Sequence, residues 1–133
     1  MNFLSLSAAV IGFEERVYNG SESEGEIQVV VAVLQGELSA PVRVRLSTMD
    51  GSALSPTDYQ SLNQTLTFSP DNTRMLITVP VTDDAIDEEN EYFLGRLSLE
   101  EGGPEIAILI QPDEAILNII DDDGKKKELL YKC

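Results

Sequence analysis

Residues Val42-Arg43-Val44-Arg45-Leu46-Ser47-Thr48 alternate apolar and polar side chains without a break. Successive strand side chains point to opposite faces, so this alternation predicts a half-buried strand with Val42, Val44 and Leu46 inward and Arg43 and Arg45 toward solvent. Upstream, Glu26 to Leu34 places Ile27, Val29, Val31 and Val33 on one face of a Val-rich run that suits a central strand covered on both sides. The second half of Met1 to Phe13 supplies a first strand before it.

Downstream, Asp50-Gly51 and Ser55-Pro56 mark turns. A short strand from about Gln64 to Phe68 then turns Leu66 and Phe68 to the core, and Ser69-Pro70-Asp71-Asn72 makes a tight turn. Met75, Ile77, Val79 and Val81 form the inner face of a fifth strand, and Pro80 predicts an unpaired edge near its end. Tyr92 to Leu99 and Glu114 to Ile120 complete the series after a break at Gly102-Gly103-Pro104. Ile106 to Ile110 is either an extra strand or the first half of a long one. No window sustains a helical stripe except a short acidic stretch after Ala85. The predicted class is all-β, an immunoglobulin-like Greek-key β-sandwich of about seven antiparallel strands. With no Trp and no Cys pair it is not a true immunoglobulin domain.

A length of 133 residues fits one domain with a proper core. Asp and Glu number 24 against 9 Lys and Arg, a formal net charge of −15. Such a charge repels nucleic acid and anionic membrane and attracts multivalent cations. With no His and a single Cys, Cys133, there is no internal disulfide and no zinc-type site, so any metal is held by oxygen. The opening apolar segment lacks a basic flank and is too short to span a bilayer, so no direct membrane insertion is expected. Asn19-Gly20-Ser21 and Asn63-Gln64-Thr65 are glycosylation sequons and lean toward the cell exterior.

Nine carboxylates fall at predicted strand ends: Glu22, Asp50, Asp83, Asp84, Glu88, Glu91, Asp121, Asp122 and Asp123. If strands run alternately up and down, each of these lands at the pole where the second strand begins. Like charges about 4 Å apart repel by on the order of 4 kcal/mol at an effective dielectric near 20. Ca²⁺ relieves this repulsion by accepting six to eight oxygens in loose geometry, roughly 2.3–2.6 Å away. The EF-hand spacing is absent, since Asp121-Asp122-Asp123-Gly124 does not match it.

These residues resemble the Calx-beta family, the calcium-sensing module of sodium/calcium exchangers that also recurs in large extracellular adhesion and matrix proteins. The resemblance is carried by Glu22-Ser23-Glu24-Gly25, by Thr48-Met49-Asp50-Gly51 with Ala53 and Asp58-Tyr59, and by Leu66-Thr67-Phe68-Ser69-Pro70. The run from Asp83 to Leu94 and the closing Ile119-Ile120-Asp121-Asp122-Asp123 complete it. It implies a domain over residues 10–124, between an extension at 1–9 and a tail or linker at 125–133. It also implies calcium ligands at the same nine acids, with the Ile86 carbonyl as a further oxygen. Ala85 and Asn90 depart from the pattern at positions where some binders carry an acid.

The expected function is a calcium-binding module of a larger cell-surface or extracellular protein, stiffening its junction with neighbouring domains or protein partners for adhesion or signalling. The alternatives are a metal-free structural spacer, or an intracellular calcium sensor on the cytoplasmic side of a membrane transporter. Glycoside hydrolysis by paired carboxylates fares poorly, because four Tyr, four Phe and no Trp leave little to line a sugar cleft. No enzyme activity is expected. Asp58 reads as a turn acceptor and Tyr59 as a packing residue. Lys125 to Lys127 read as a soluble tail and Cys133 as incidental.

Overall fold

The computed structural model describes residues 9–82, 90–101 and 108–120. Among them are nine strands: β1 Ala9–Phe13, β2 Val17–Ser21, β3 Glu26–Gln35, β4 Val42–Asp50, β5 Asn63–Phe68, β6 Arg74–Pro80, β7 Glu91–Glu101, β8 Ile108–Ile110 and β9 Glu114–Ile120. They form two sheets, β6-β3-β1-β8 and β2-β9-β7-β4-β5. The alternation that predicts strands also selects the core. Val42, Val44 and Leu46 of β4 are buried against Ile27, Val29 and Val31 of β3, Leu66 and Phe68 of β5, and Ile77 and Val79 of β6. On the opposite face Gln28 is exposed, Val30 half-buried and Ala32 buried, so the second face of β3 is covered only in part, while β1 and β6 flank its two edges. β6 is an edge strand of its sheet, but the unpaired edge expected at Pro80 is absent: Pro80 O accepts from Gln60 N at 3.0 Å and Val81 bridges Tyr59, so the β4–β5 loop covers that end. No helix among the described residues is long and apolar enough to cross a membrane.

The seven chain courses expected from the sequence are present, and two of them are split. β1 pairs with β8 in parallel in the first sheet, and β2 pairs with β9 in parallel in the second. The first course therefore changes sheets between Phe13 and Val17, and the last changes sheets beside it between Ile110 and Glu114. Backbone bonds stitch the two crossings together: Gln111 N to Ile11 O at 2.9 Å, Phe13 N to Pro112 O at 3.2 Å and Ile116 N to Arg16 O at 2.9 Å. The Tyr18 hydroxyl donates to Val30 O at 3.1 Å and accepts from Glu15 N at 2.9 Å, which anchors the first crossing to β3. Ile108–Ile110 is thus a separate strand continuing into β9. β2 was not anticipated, because Asn19-Gly20-Ser21 has turn chemistry. Here Gly20 is buried, and a Cβ on it would lie 2.7 Å from Ile27 Cγ1. Close sheet-to-sheet approach explains a glycine inside this strand.

Splitting each course preserves its direction, so the strand parity survives. Ser21 of β2 pairs with Ile120 of β9, Glu91 of β7 with Ile119, and Asp50 of β4 with Phe93 of β7. In the other sheet Glu26 of β3 pairs with Pro80 of β6, and Val81 N donates to Gly25 O at 3.0 Å. One pole therefore collects the ends of β2, β4, β6 and β9 and the starts of β3 and β7.

Gly12 offers a test of the double crossing. A Cβ there would sit 2.2 Å from the Gln111 carbonyl oxygen, a backbone atom with no rotamer to yield. Gly12→Ala is expected to destabilise the domain by about 3 kcal/mol, the upper end of the overpacking range. The measurement is a lower urea midpoint at unchanged slope.

Candidate metal centre

At this pole the chain passes from β2 of the larger sheet to β3 of the smaller through one 3₁₀ turn, Glu22–Glu24. Ser21 N donates to Glu24 Oε1 at 3.1 Å, tying down the start of the turn. Gly25 closes it in the left-handed conformation, φ 77°, donating to Glu22 O at 3.0 Å. That conformation suits glycine. The turn points its two acids differently: Glu24 is exposed, whereas Glu22 is only 4% exposed and is, among the described residues, the one charged residue that is buried. Glu22 Oε1 is buried and accepts no hydrogen bond from the described residues, although the residue has a further interaction. A buried carboxylate persists where partners make up for its lost hydration, and at an acidic pole a cation is one group able to contribute to that.

Asp50 ends β4 and is exposed. Its Oδ1 accepts from Ser55 N at 3.0 Å and from the Tyr59 hydroxyl at 2.6 Å. Both bonds converge on one oxygen, which restrains the carboxylate's rotation, and among the described residues none bonds to Oδ2. Gly51 lets the chain turn tightly over Tyr92, whose ring a Cβ would approach to 2.4 Å. Ala53 N donates to Tyr92 O at 2.8 Å and Tyr92 N to Ser52 Oγ at 3.0 Å, holding the loop beside the start of β7. Glu91, half-buried, opens that strand and takes part in a further interaction.

Of the expected ligands, Glu22, Asp50 and Glu91 are thus brought to one pole. Asp83, Asp84, Ile86, Glu88, Asp121, Asp122 and Asp123 lie outside the described residues. The described residues that lead into two of these stretches are at the pole: Thr82 N donates to Asp58 O at 2.9 Å, and Ile120 pairs with Ser21. Among the described residues alone, no three acidic side chains gather closely enough to hold a metal ion. Glu22, Asp50 and Glu91 therefore mark a pole and do not by themselves make a site.

Among the described residues, arginines bridge carboxylates away from this pole: Arg74 to Glu14 at 2.8 Å, Arg45 to Glu100 at 2.6 Å and Arg96 to Glu114 at 2.6 Å. The Arg74 hydrogen bond holds the Glu14 carboxyl below the usual range. For Glu100 the Thr65 hydroxyl does so first and Arg45 second. Asp58 behaves as a turn acceptor, taking Leu54 N on Oδ2 at 2.9 Å. Tyr59 packs as expected, 1% exposed and stacked on Phe93 with ring centroids 3.7 Å apart and planes 8° apart. Its hydrogen bond to Asp50 was missed. The available signal was a tyrosine in an apolar setting nine positions after an acid, since a buried hydroxyl needs a partner.

Burial, and secondly the bond to Asp50, push the Tyr59 hydroxyl up to about 12. An unfolded tyrosine loses its proton near pH ~10. A proton held more tightly in the folded state makes stability complete below pH ~10 and progressively lost as pH climbs toward 12. In chelator, unfolding curves between these pH values should fall more steeply for the wild type than for Tyr59→Phe.

The two-sheet fold with an acid-bearing pole matches a described class of protein: residues 6–123 match the Calx-beta domain. The chain belongs to the Calx-beta family. It is similar to mouse sodium/calcium exchanger 1, 35% identical over 127 residues, covering 85% of the chain and 13% of the exchanger. Rat sodium/calcium exchanger 2 is 33% identical over 128 residues, with 87% and 14% covered. The chain thus spans about one seventh of the length of these curated relatives. Among solved structures, the apo-form Calx CBD1 domain superposes with a TM-score of 0.77 at 31% identity, covering 88% of this chain and 100% of that one. CBD12 from CALX1.2 gives 0.75 at 32%, covering 86% of this chain and 46% of that one. The Calx CBD2 domain, at 15% identity and a TM-score of 0.78, shares the fold over 93% of this chain and 95% of its own.

Proposed function

We propose that the chain is a calcium-responsive regulatory domain of an exchanger-type membrane transporter, placed on the cytoplasmic side. The observation that carries this reading is the buried Glu22 at the pole where β4 delivers Asp50, β7 begins at Glu91, and the strands before Asp83 and Asp121 end. Likeness to two sodium/calcium exchangers supports the transporter setting over the cell-surface adhesive one first expected. Likeness to the calcium binding domain CBD12 of CALX1.1, at 33% identity and a TM-score of 0.74, supports calcium as the cation.

In this reading Glu22, Asp50, Asp83, Asp84, Glu88, Glu91, Asp121, Asp122 and Asp123, with the Ile86 carbonyl, supply the oxygens. Bound Ca²⁺ offsets their mutual repulsion. Glu22 is held by the 3₁₀ turn and Asp50 by the loop, so both are oriented before binding. Residues 121–123 immediately precede the chain's exit from the domain, so occupancy is coupled to the orientation of a neighbouring domain. The reading assigns the chain binding and no catalysis.

Affinity separates a sensor from an external structural element: sensors bind at roughly 10⁻⁷–10⁻⁵ M and extracellular modules at about 10⁻⁴–10⁻³ M. Calorimetric titration is expected to fall in the first range. At one hundred times its dissociation constant a ligand stabilises by roughly 2.7 kcal/mol. Millimolar Ca²⁺ should therefore raise the melting temperature by several degrees, and Asp121→Asn combined with Asp122→Asn should remove most of the rise. A melting curve indifferent to saturating Ca²⁺ would leave a metal-free spacer as the function.

A further inference from the structure

The loop between β4 and β5 joins two parts of the pole that the sheets keep apart. Its backbone is bound to the end of β6: Tyr59 bridges Val81, Gln60 N donates to Pro80 O at 3.0 Å, and Thr82 N donates to Asp58 O at 2.9 Å. Its side chains are bound to the end of β4, through Tyr59 and Asp50. The loop is also braced within itself, Asp58 N donating to Leu54 O at 2.7 Å and Leu54 N to Asp58 Oδ2 at 2.9 Å. β4 and β6 lie in different sheets, so this strap is a direct link between the strand that ends in Asp50 and the strand that leads to Asp83.

Resting on the calcium reading above, we infer that Tyr59 is a positioning residue for the metal centre, its hydroxyl locking the Asp50 carboxylate so that Oδ2 faces the ion. Three observations support this. The ring cannot swing away, being buried and stacked on Phe93, the residue that pairs with Asp50 across β4 and β7. Ser55 N reinforces the same Oδ1 from the other side of the loop. Asp50 is otherwise an exposed side chain at a strand end, whose rotation would have to be frozen at the moment of binding. Freezing it beforehand lowers the cost of binding, as outer partners of metal ligands commonly do. Tyr59 also transmits strap position, because its backbone moves with the end of β6.

Removing one such partner commonly weakens metal affinity by about 10–100-fold. The test is calorimetric Ca²⁺ titration of the wild-type chain, Tyr59→Phe and Ile11→Val, with melting curves in chelator for all three. Ile11 is buried in β1, away from this pole, and trimming it removes stability without touching the strap. The expected result is wild-type binding, Tyr59→Phe at least about tenfold weaker, and Ile11→Val unchanged. Equal affinity for wild type and Tyr59→Phe overturns the inference. So does equal weakening in both variants, which would reduce the effect to lost stability. Absence of binding by the wild type overturns the calcium reading itself, and this inference with it.

Discussion

Backbone pairing across β2, β9, β7 and β4 decides which strand ends can meet. Ser21 opposite Ile120, Ile119 opposite Glu91 and Phe93 opposite Asp50 form one continuous line of register at the edge of the larger sheet. The 3₁₀ turn carries that line into the smaller sheet, where Glu26 pairs with Pro80. A slip of one residue in any of these ladders would exchange buried and exposed faces, moving Leu117 or Phe93 out of the core, so the core holds the pole in register. The acids at the strand ends are placed by hydrophobic packing that does not involve them.

The same packing explains how the pole differs from the rest of an acidic surface. On the sheet faces, Glu14, Glu100 and Glu114 each meet an arginine in solvent, where such pairs add little to stability. At the pole, Glu22 is covered and Asp50 is restrained by two donors on one oxygen. Restraint and burial of Asp50 and Glu22, rather than the number of acids, set this pole apart from the solvated acids of the sheet faces. The strap from Gly51 to Leu62 joins both sheets at that point, linking the position of Asp50 to the end of β6 through a stacked aromatic pair.

Much of the fold was legible because alternation is a local signal: Val42 to Leu46 and Leu66 to Phe68 declare their buried faces without knowledge of their partners. β2 was not legible, since Asn19-Gly20-Ser21 carries turn residues and becomes a strand only through parallel pairing with β9, nearly one hundred residues away in sequence, as in the Asn118 to Asn19 side-chain bond. The sheet-switching of the first and last courses is hidden for the same reason. Of the candidate site, strand parity sufficed to gather Glu22, Asp50 and Glu91. It could not separate Glu22 from Glu24, two residues apart and chemically alike, because only the geometry of the turn buries one and exposes the other. Nor could it connect Asp58-Tyr59 with Asp50, a contact that depends on the path of an irregular loop.

Membership of the Calx-beta family and likeness to exchanger domains agree with this architecture. Whether the carboxylates of this pole converge on divalent ions is decided by a crystal structure grown in Ca²⁺ and read by its anomalous signal. Ions are expected at this pole, coordinated by Glu22 and Asp50 Oδ2 together with acids from the stretches following β6 and β9. Saturating Ca²⁺ with no ion there, or with those acids turned toward separate regions of solvent, would contradict this expectation.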